Sequence, residues 1–408
     1  MLRAVDLHLH SRYSGAVSPE MTVENLARQA QCKGLDLLGT GDCLQADWLR
    51  EIEATMQEAE PGLLALRPEV EAAVAQRLPA GLRRSLRYVL STEVCCAPPG
   101  TGDREGIHHL VYFPSLGSVR RFREKIARYG DLRAGRPTLQ IESWRLLEMV
   151  LAHEAGCHLA PAHVFNPWYS TLGTVSGGRS LEAVFDDLAP LLLAVETGLT
   201  STPPMCRRVS SLDRHALYSC SDAHSLKNLG RECTLLDIEP GYAALFAALR
   251  SGAKENFIGT LKFPLEYTPY FRNRCGACQE AFDGTGCPRC GGPLVPGSRD
   301  RLEAIADRKE PVYPDYAPPF RELLPLAHVL AAFLRVGPES KGVLEFHDRL
   351  LRSLGHERFI LTEASYEAIA QADTPQLAKV IIGLRTATPR WSPAERGKPG
   401  AEQTSFDF

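Results

Sequence analysis

Two histidines separated by one residue close the run Asp6-Leu7-His8-Leu9-His10, and a carboxylate and an imidazole with the same spacing close Ser221-Asp222-Ala223-His224. On an extended strand, residues two apart point to the same side, so each pair presents two ligand-type side chains to one place. Imidazole with carboxylate suits zinc, manganese or iron, and an incomplete protein shell leaves room for a metal-bound water able to attack phosphorus or carbon. The same chemistry recurs between the pairs. Asp42 follows Leu37-Leu38-Gly39-Thr40-Gly41, Glu93 follows Tyr88-Val89-Leu90-Ser91-Thr92, and His109 lies in Ile107-His108-His109-Leu110-Val111. His163 follows Leu159-Ala160-Pro161-Ala162, and Glu196 follows Leu192-Leu193-Ala194-Val195. One such residue alone is ordinarily a turn or cap residue. Their recurrence at the end of one apolar run after another predicts a polynuclear metal centre. The expected ligands are His8, His10, Asp42, Glu93, His109, His163, Asp222 and His224, with Glu93, His163 and Asp222 at the catalytic core. His109 is preferred to His108 because it directly precedes Leu110-Val111. Asp6, His108 and Glu196 are expected to orient ligands from behind.

Such a site needs strands that end at one face. Strand-like runs cover 2–9, 35–39, 88–95, 110–113, 157–160, 191–195 and 217–220, and helical spacing covers 23–33, 50–60, 118–129, 141–154, 181–188 and 241–251. That alternation implies parallel strands with crossover helices, and six or seven such units make an α/β fold of distorted (β/α) barrel type. In a barrel the active site lies at the C-terminal ends of the strands, where the polar residues gather.

The chain has 408 residues, so a barrel and smaller partners fit. The expected parts are a metal-binding barrel over 1–262, a four-cysteine zinc-binding part over 263–300, a helical part over 301–386 and a polar tail over 387–408. With 44% hydrophobic and 23% charged residues it reads as globular. No long apolar run suggests a membrane span, and the first residues enter a strand pattern directly, so a cytoplasmic protein is expected. A net charge of −3 gives no overall attraction to nucleic acid. DNA contact must then come from local basic runs: Arg120 to Lys125 with Arg128, Arg133 and Arg136, then Arg207-Arg208, and Arg272 to Arg274. Each alone reads as a solvated surface. Of the 12 cysteines, Cys157, Cys220 and Cys233 read as small buried hydrophobes. Cys275-x-x-Cys278 and Cys287-x-x-Cys290 form two knuckles that supply four thiolates to a closed, structural zinc site. Arg272, Arg274, Arg289 and Arg299 beside it are candidates for phosphate contact.

Asp6-Leu7-His8-Leu9-His10-Ser11, Gly39-Thr40-Gly41-Asp42, Ser91-Thr92-Glu93, Pro161-Ala162-His163 and Ser221-Asp222-Ala223-His224 resemble, in order, the motifs of the polymerase-and-histidinol-phosphatase superfamily. The resemblance implies a barrel phosphoesterase with two or three metals. Many members place an Asp or His five residues after the second histidine of the first motif. Here that position is Gly15, a departure that bears on the metal count. Val195-Glu196-Thr197-Gly198-Leu199-Thr200-Ser201, Leu229-Gly230-Arg231-Glu232, Phe257-Ile258-Gly259-Thr260, the cysteine cluster and Ala306-Asp307-Arg308 resemble endonuclease Q, over roughly residues 1 to 385. That implies incision of DNA on the 5′ side of deaminated bases (uracil, hypoxanthine, xanthine) and of abasic sites. Zn2+ is expected in the cysteine site and the barrel centre, with Mg2+ or Mn2+ as alternatives in the barrel.

A base hidden in a duplex must leave the stack to be read. Asn166, Trp168, Tyr169 and Ser170, just after His163, combine stacking surface with hydrogen-bonding groups and are the expected substrate pocket, although aromatics after a strand also fill barrel rims. Gln403-Thr404-Ser405-Phe406-Asp407-Phe408 resembles the peptide by which bacterial repair enzymes dock on the sliding clamp, with Phe406 where leucine is more usual. Two other classes share parts of this pattern: a small-molecule phosphoesterase of histidinol-phosphatase type, and a non-catalytic DNA-binding scaffold. The first has no need of the cysteine cluster or tail, and the second would carry a damaged metal shell.

Overall fold

The computed structural model describes residues 2–102, 105–282 and 286–387. Apolar alternation in Leu2–Asp6 makes β1, whose Ala4, Val5 and Asp6 are all fully buried. α1 (Val23–Lys33) follows, with Thr22 accepting the Asn25 amide as its N-cap and Val23, Leu26, Ala27 and Ala30 forming the buried stripe expected of helical spacing. β2 (Leu37–Gly39) pairs parallel to β1, as a crossover helix dictates. Next come α2 (Ala46–Thr55), a hairpin of β3 (Met56–Glu60) and β4 (Leu63–Leu66), and α3 (Pro68–Gln76). Residues 56–60 were expected to prolong a helix. Instead Pro61-Gly62 turns the chain, Gly62 at φ 82, and pairing with β4 outweighs helix propensity.

β5 (Arg87–Cys96) pairs parallel to β2 and antiparallel to β6 (Ile107–Phe113). The parallel alternation expected from the sequence therefore fails here. Among the described residues between β5 and β6 there is no helix, and the chain reverses direction there. α4 (Leu116–Ile126), β7 (Thr138–Leu139) and α5 (Ser143–Leu151) lead to β8 (His158–Pro161), again antiparallel to β6. α6 (Glu182–Phe185), β9 (Val195–Glu196), α7 (Pro203–Cys206) and β10 (Leu217–Tyr218) follow, β9 and β10 running parallel. Backbone bonds carry the strands on: Leu193 donates to Leu159 and Val164 to Glu196, both at 3.0 Å. A parallel bridge between Leu9 and Ala223 then leads back to β1. Two antiparallel strands, β11 (Cys233–Asp237) against β1 and β12 (Phe257–Lys262) against β11, flank α8 (Tyr242–Ser251) and complete a mixed α/β architecture.

After β12 the chain leaves the sheet for β13 (Arg274–Cys275), β14 (Leu294–Val295) and α9 (Ser298–Ile305). It returns as β15 (Phe320–Glu322), parallel to β12 with Thr260 opposite Phe320. Five helices follow: α10 (Leu326–Leu334), α11 (Lys341–Leu354), α12 (Glu357–Thr362), α13 (Tyr366–Ala372) and α14 (Pro375–Ala387). Their buried Leu326, Leu330, Val343, Leu350, Ile360, Ile369 and Ile381 belong to the same apolar core as α1 and α2. A buried ion pair, Lys33 with Glu357 at 2.9 Å, pins α12 to α1. The tail peptide, Gln403 to Phe408, lies outside the described residues.

Candidate metal centre and active site

His8 and His10 extend from β1 with their inner nitrogens aimed at one point. His8 Nδ1 lies 3.0 Å from both oxygens of Glu196, and His10 Nδ1 lies 3.0 Å from Asp42 Oδ1. Each carboxylate fixes the ring tautomer and leaves Nε2 with a lone pair facing inward. Those two Nε2 atoms are buried without a hydrogen-bond partner, as is Asp222 Oδ1. Asp222 Oδ1 is 3.4 Å from His8 Nε2 and 3.3 Å from His10 Nε2. Ligand atoms held about 2.1 Å from one tetrahedral ion lie about 3.4 Å apart, so the trio fits a divalent metal. Glu93 continues the cluster. Its Oε1 and Oε2 stand 3.5 Å from His8 Nε2 and 3.4 Å from His10 Nε2, while Oε1 is 2.9 Å from His108 Nδ1 and 3.0 Å from His163 Nε2. Glu93, His108 and His163 form a second trio, and Glu93 joins the two.

The electrostatics match this crowding. Burial opposes ionisation of Glu93, but His108, Arg136 and His8 outweigh it and hold the carboxyl far below its usual range. Burial likewise opposes charge on His8 and His10, yet the facing carboxylates draw protons to both rings. A divalent cation competes for the same lone pairs. Strain accompanies the site: Asp42 (φ 45), His163 (φ 31), Asp222 (φ 47) and Tyr169 (φ 61) all adopt left-handed backbone. Such conformations cost about 1–3 kcal/mol each and persist where the surroundings over-determine them. Gly198 is one reason His163 stays put, since a Cβ there would meet His163 Cβ at 2.4 Å.

Most expected ligands converge, and some do not. His109 turns its ring away to Ser143 Oγ (2.8 Å) and Phe185, and burial pushes it down to about 3. His108 takes the inward place. The reversal follows from β6, which runs opposite to the expected direction, so that its start meets the end of β5 with Cys95 opposite His108. Asp42 does not reach the trio. It sits behind His10 and accepts from the Ser11 amide and hydroxyl, both at 2.7 Å. Glu196 orients His8 and also accepts the His163 amide at 2.7 Å, as a supporting residue would. Asp6 accepts the amides of Ser221 and Gly230 at 3.0 Å and so ties the last motif to β1; burial raises it to about 6. His224 lies at the rim, its ring 4.6 Å from that of His10 and its Nδ1 2.9 Å from its neighbour's carbonyl, Asp222 O. A Cβ on Gly15 would meet nothing within 4 Å.

Tyr169 stacks on His108 with ring centres 4.6 Å apart, at the edge of the second trio. Trp168 is turned the other way and packs edge-on against Tyr270 at 5.3 Å. Asn166 caps the Trp168 amide, and the Ser170 hydroxyl bonds the Asn166 carbonyl. Of the four pocket candidates, Tyr169 is the one stacked on a cluster residue. The basic runs are largely neutralised by neighbours. Arg120 pairs with Glu53, Arg121 with Glu154, Arg133 with Asp131 and Arg208 with Glu303, while Arg207 is buried and donates to Leu212 and His215 carbonyls. Arg136 differs, because it reaches Glu93 Oε2 at 3.0 Å. The sequence marked it only as one of a basic run.

Residues 325–388 match the family model described as the MJ0043 C-terminal domain. The chain is 27% identical over 398 residues to the uncharacterized protein YqxK of Bacillus subtilis, covering 93% of this chain and 94% of that one. It is 32% identical over 169 residues to the uncharacterized protein MJ0043 of Methanocaldococcus jannaschii, which is 41% of this chain and 17% of that protein. Among solved structures, the lesion-specific endonuclease PfuEndoQ from Pyrococcus furiosus superposes with a TM-score of 0.80 and 29% identity, covering 95% of this chain and 91% of that one. A structure of endonuclease Q with a 27-mer duplex carrying an abasic lesion at its active site superposes at 0.81, with 29% identity and coverage of 95% and 92%.

Over nearly its whole length the chain resembles endonuclease Q.

In this endonuclease Q-like chain the four cysteines also come together. Cys275 Sγ is 3.5 Å from Cys290 Sγ, and Cys278 Sγ is 3.5 Å from Cys287 Sγ. The amides of Cys278 and Ala277 point at Cys275 Sγ and pull its thiol down to about 6. A thiolate is the form that ligates metal, so the donor set fits zinc. This part touches the loop after His163: Thr174 Oγ1 donates to Pro296 O at 2.9 Å, and Arg301 donates to the carbonyls of Leu172 and Gly178. Among the described residues no helix is long and apolar enough to cross a membrane.

Proposed function

We propose that this chain is a metal-dependent DNA repair endonuclease that hydrolyses the phosphodiester on the 5′ side of deaminated bases (uracil, hypoxanthine, xanthine) and of abasic sites. The observation that carries the reading is the convergence of unpartnered His8 Nε2, His10 Nε2 and Asp222 Oδ1 beside Glu93, in a chain that superposes over 95% of its length on a lesion-specific endonuclease. His8, His10 and Asp222 would hold one metal and Glu93, His108 and His163 another, with Zn2+ first and Mg2+ or Mn2+ as alternatives. Such metals, when bound, polarise a phosphate and supply an activated water at neutral pH. The chain's own residues do the rest. Glu196 and Asp42 keep the imidazole lone pairs inward, Glu93 ties the two trios into one rigid unit, and Asp222 and His224 line the open face, with side chains 22% and 31% exposed. Tyr169 offers a stacking surface next to that face for a base drawn out of the duplex, with Asn166, Trp168 and Ser170 as its supporting loop.

The domain plan that goes with this reading places the phosphodiesterase on a distorted barrel over 1–262, closed through the Leu9–Ala223 bridge. A zinc ribbon follows over 263–300, a helical part over 301–386 and a clamp-binding tail at Gln403 to Phe408. DNA as partner implies work in the cytoplasm at the nucleoid. The test is incision of a labelled duplex with one deoxyuridine, alongside metal analysis. Wild-type protein should nick 5′ to the lesion and lose that activity to chelator, and Asp222→Asn should nick at least a hundredfold more slowly. Hydrolysis of nitrophenyl phosphate with no nick in lesion DNA would overturn the reading in favour of a small-molecule phosphoesterase.

A further inference from the structure

Beside Glu93 stands a cation whose hydrogen-bonding capacity is largely unspent. Arg136 donates NH1 to Glu93 Oε2 at 3.0 Å, its other two nitrogens have no hydrogen-bond partner among the described residues, and its side chain is 29% exposed. The segment that bears it is fixed on both sides. Gly135 N donates to Tyr13 O, Pro137 O accepts from Cys95 N, and Arg133 O accepts from Gln45 Nε2. It also packs against the groups behind His10, since a Cβ on Gly135 would meet Ser14 Oγ at 2.3 Å and Asp42 Oδ2 at 2.6 Å. The neighbouring cations offer no substitute. Arg12 is drawn to Tyr13 and Glu51, Arg133, 90% exposed, holds Asp131 through Nε and NH2, and Arg231 donates to the carbonyls of Ser221 and Asp222.

A guanidinium presents donors in a planar fork, and ligation by one nitrogen leaves the rest of the fork for a second planar or tetrahedral oxyanion. With one arm on Glu93 and the side chain 29% exposed, a second anion on the fork stands beside Glu93, the residue both trios share. We propose that Arg136 is a phosphate-binding residue of this site, pairing with a non-bridging oxygen of the phosphodiester that the cluster attacks. The inference rests on the phosphodiesterase reading above and adds the residue that locates the phosphate. Glu93 then has a second task, holding the guanidinium in place without the entropy loss of freezing a free arginine at binding.

The experiment is a double-mutant cycle on the metal-loaded protein. Its two changes are Arg136→Ala and a neutral methylphosphonate in place of the phosphate 5′ to an abasic analogue, read by equilibrium binding of the duplex. Either change alone should weaken binding about tenfold, and both together no further. Metal content should stay at the wild-type level, the log–log salt slope should fall by about one with Arg136→Ala, and Arg133→Ala should change none of these readouts. Additive losses, or lost metal with unchanged binding of the phosphate duplex, would mean that Arg136 only braces Glu93. Should Arg136→Ala fail to fold, Arg136→Lys takes its place, keeping the charge while losing the fork. It must then show the same non-additivity to uphold the inference. If wild-type protein does not nick the unmodified duplex, the endonuclease reading fails instead. The inference about Arg136 is then decided by inorganic phosphate, which must bind wild-type protein several-fold more tightly than the variant.

Discussion

Glu196 and Asp42 touch the backs of their histidines and leave the inner nitrogens free, yet on physical grounds the site depends on them. An imidazole whose outer N–H is held by a carboxylate is both oriented and more basic, and removing such a partner typically costs 10–100-fold in metal affinity. Glu196→Gln and Asp42→Asn should each lose about that much in competition with a chromophoric chelator, without unfolding. Unchanged affinity would show the bonds to be incidental. His108 and His109 offer a sharper contrast. His108→Ala should remove a metal equivalent, whereas His109→Asn, behind the sheet against Ser143, should leave the metal count unchanged and at most cost stability. The spacing that turns His8 and His10 toward one point was legible from the residues alone, because a period of two needs no tertiary information. The choice between adjacent histidines was not. A one-residue shift on a strand swaps faces, and the face depends on a strand direction that local sequence does not encode.

At the level of elements, most helices and strands announce themselves by periodicity, as α1 and α11 do, but two features are tertiary decisions. β3 forms from a segment of good helix formers because β4 is there to pair with it, and β6 reverses because the described residues of the link from β5 contain no helix. The α1–α12 joint was equally hidden, since Lys33 and Glu357 meet only in the fold. Burial disfavours the Glu357 carboxylate, but Lys33 and His347 overcome this and hold its pKa well below the ordinary value. The pair therefore contributes fully above about pH 4.3, the unfolded value, and that contribution drains away as pH falls toward the folded one. Glu357→Gln strands a buried ammonium and should cost about 3–5 kcal/mol at pH 7, read by urea denaturation. The gap between variant and wild type should narrow as pH falls below about 4; a gap independent of pH would show that the ion pair is not its source.

For the molecule as a whole, the excursion between β12 and β15 is coupled to the site through Thr174, Arg301 and the contact of Trp168 with Tyr270. Loss of the cysteine site, by Cys278→Ser with Cys287→Ser, should therefore speed amide exchange in residues 166–178 while leaving the metal of the His8–His10–Asp222 trio in place. Exchange altered only within 270–297 would show the two parts to be independent. The shared core of α10–α14 with α1 and α2 was not readable in the sequence, because nothing in an amphipathic helix names the surface that will cover it. The bridge of Leu9 to Ala223 and the pairing of β1 with β11 carry a last consequence for how the protein is made. On the ribosome β1 gains β2 early, yet its other partners, β11 and Ala223, are translated more than two hundred residues after it. Until then the nascent chain exposes a hydrophobic edge and a histidine pair with no carboxylate from Asp222 to complete it. Truncated products ending before β10 should thus be aggregation-prone and should not assemble the His8–His10–Asp222 trio, which makes completion of the ligand set coincide with near-completion of the fold.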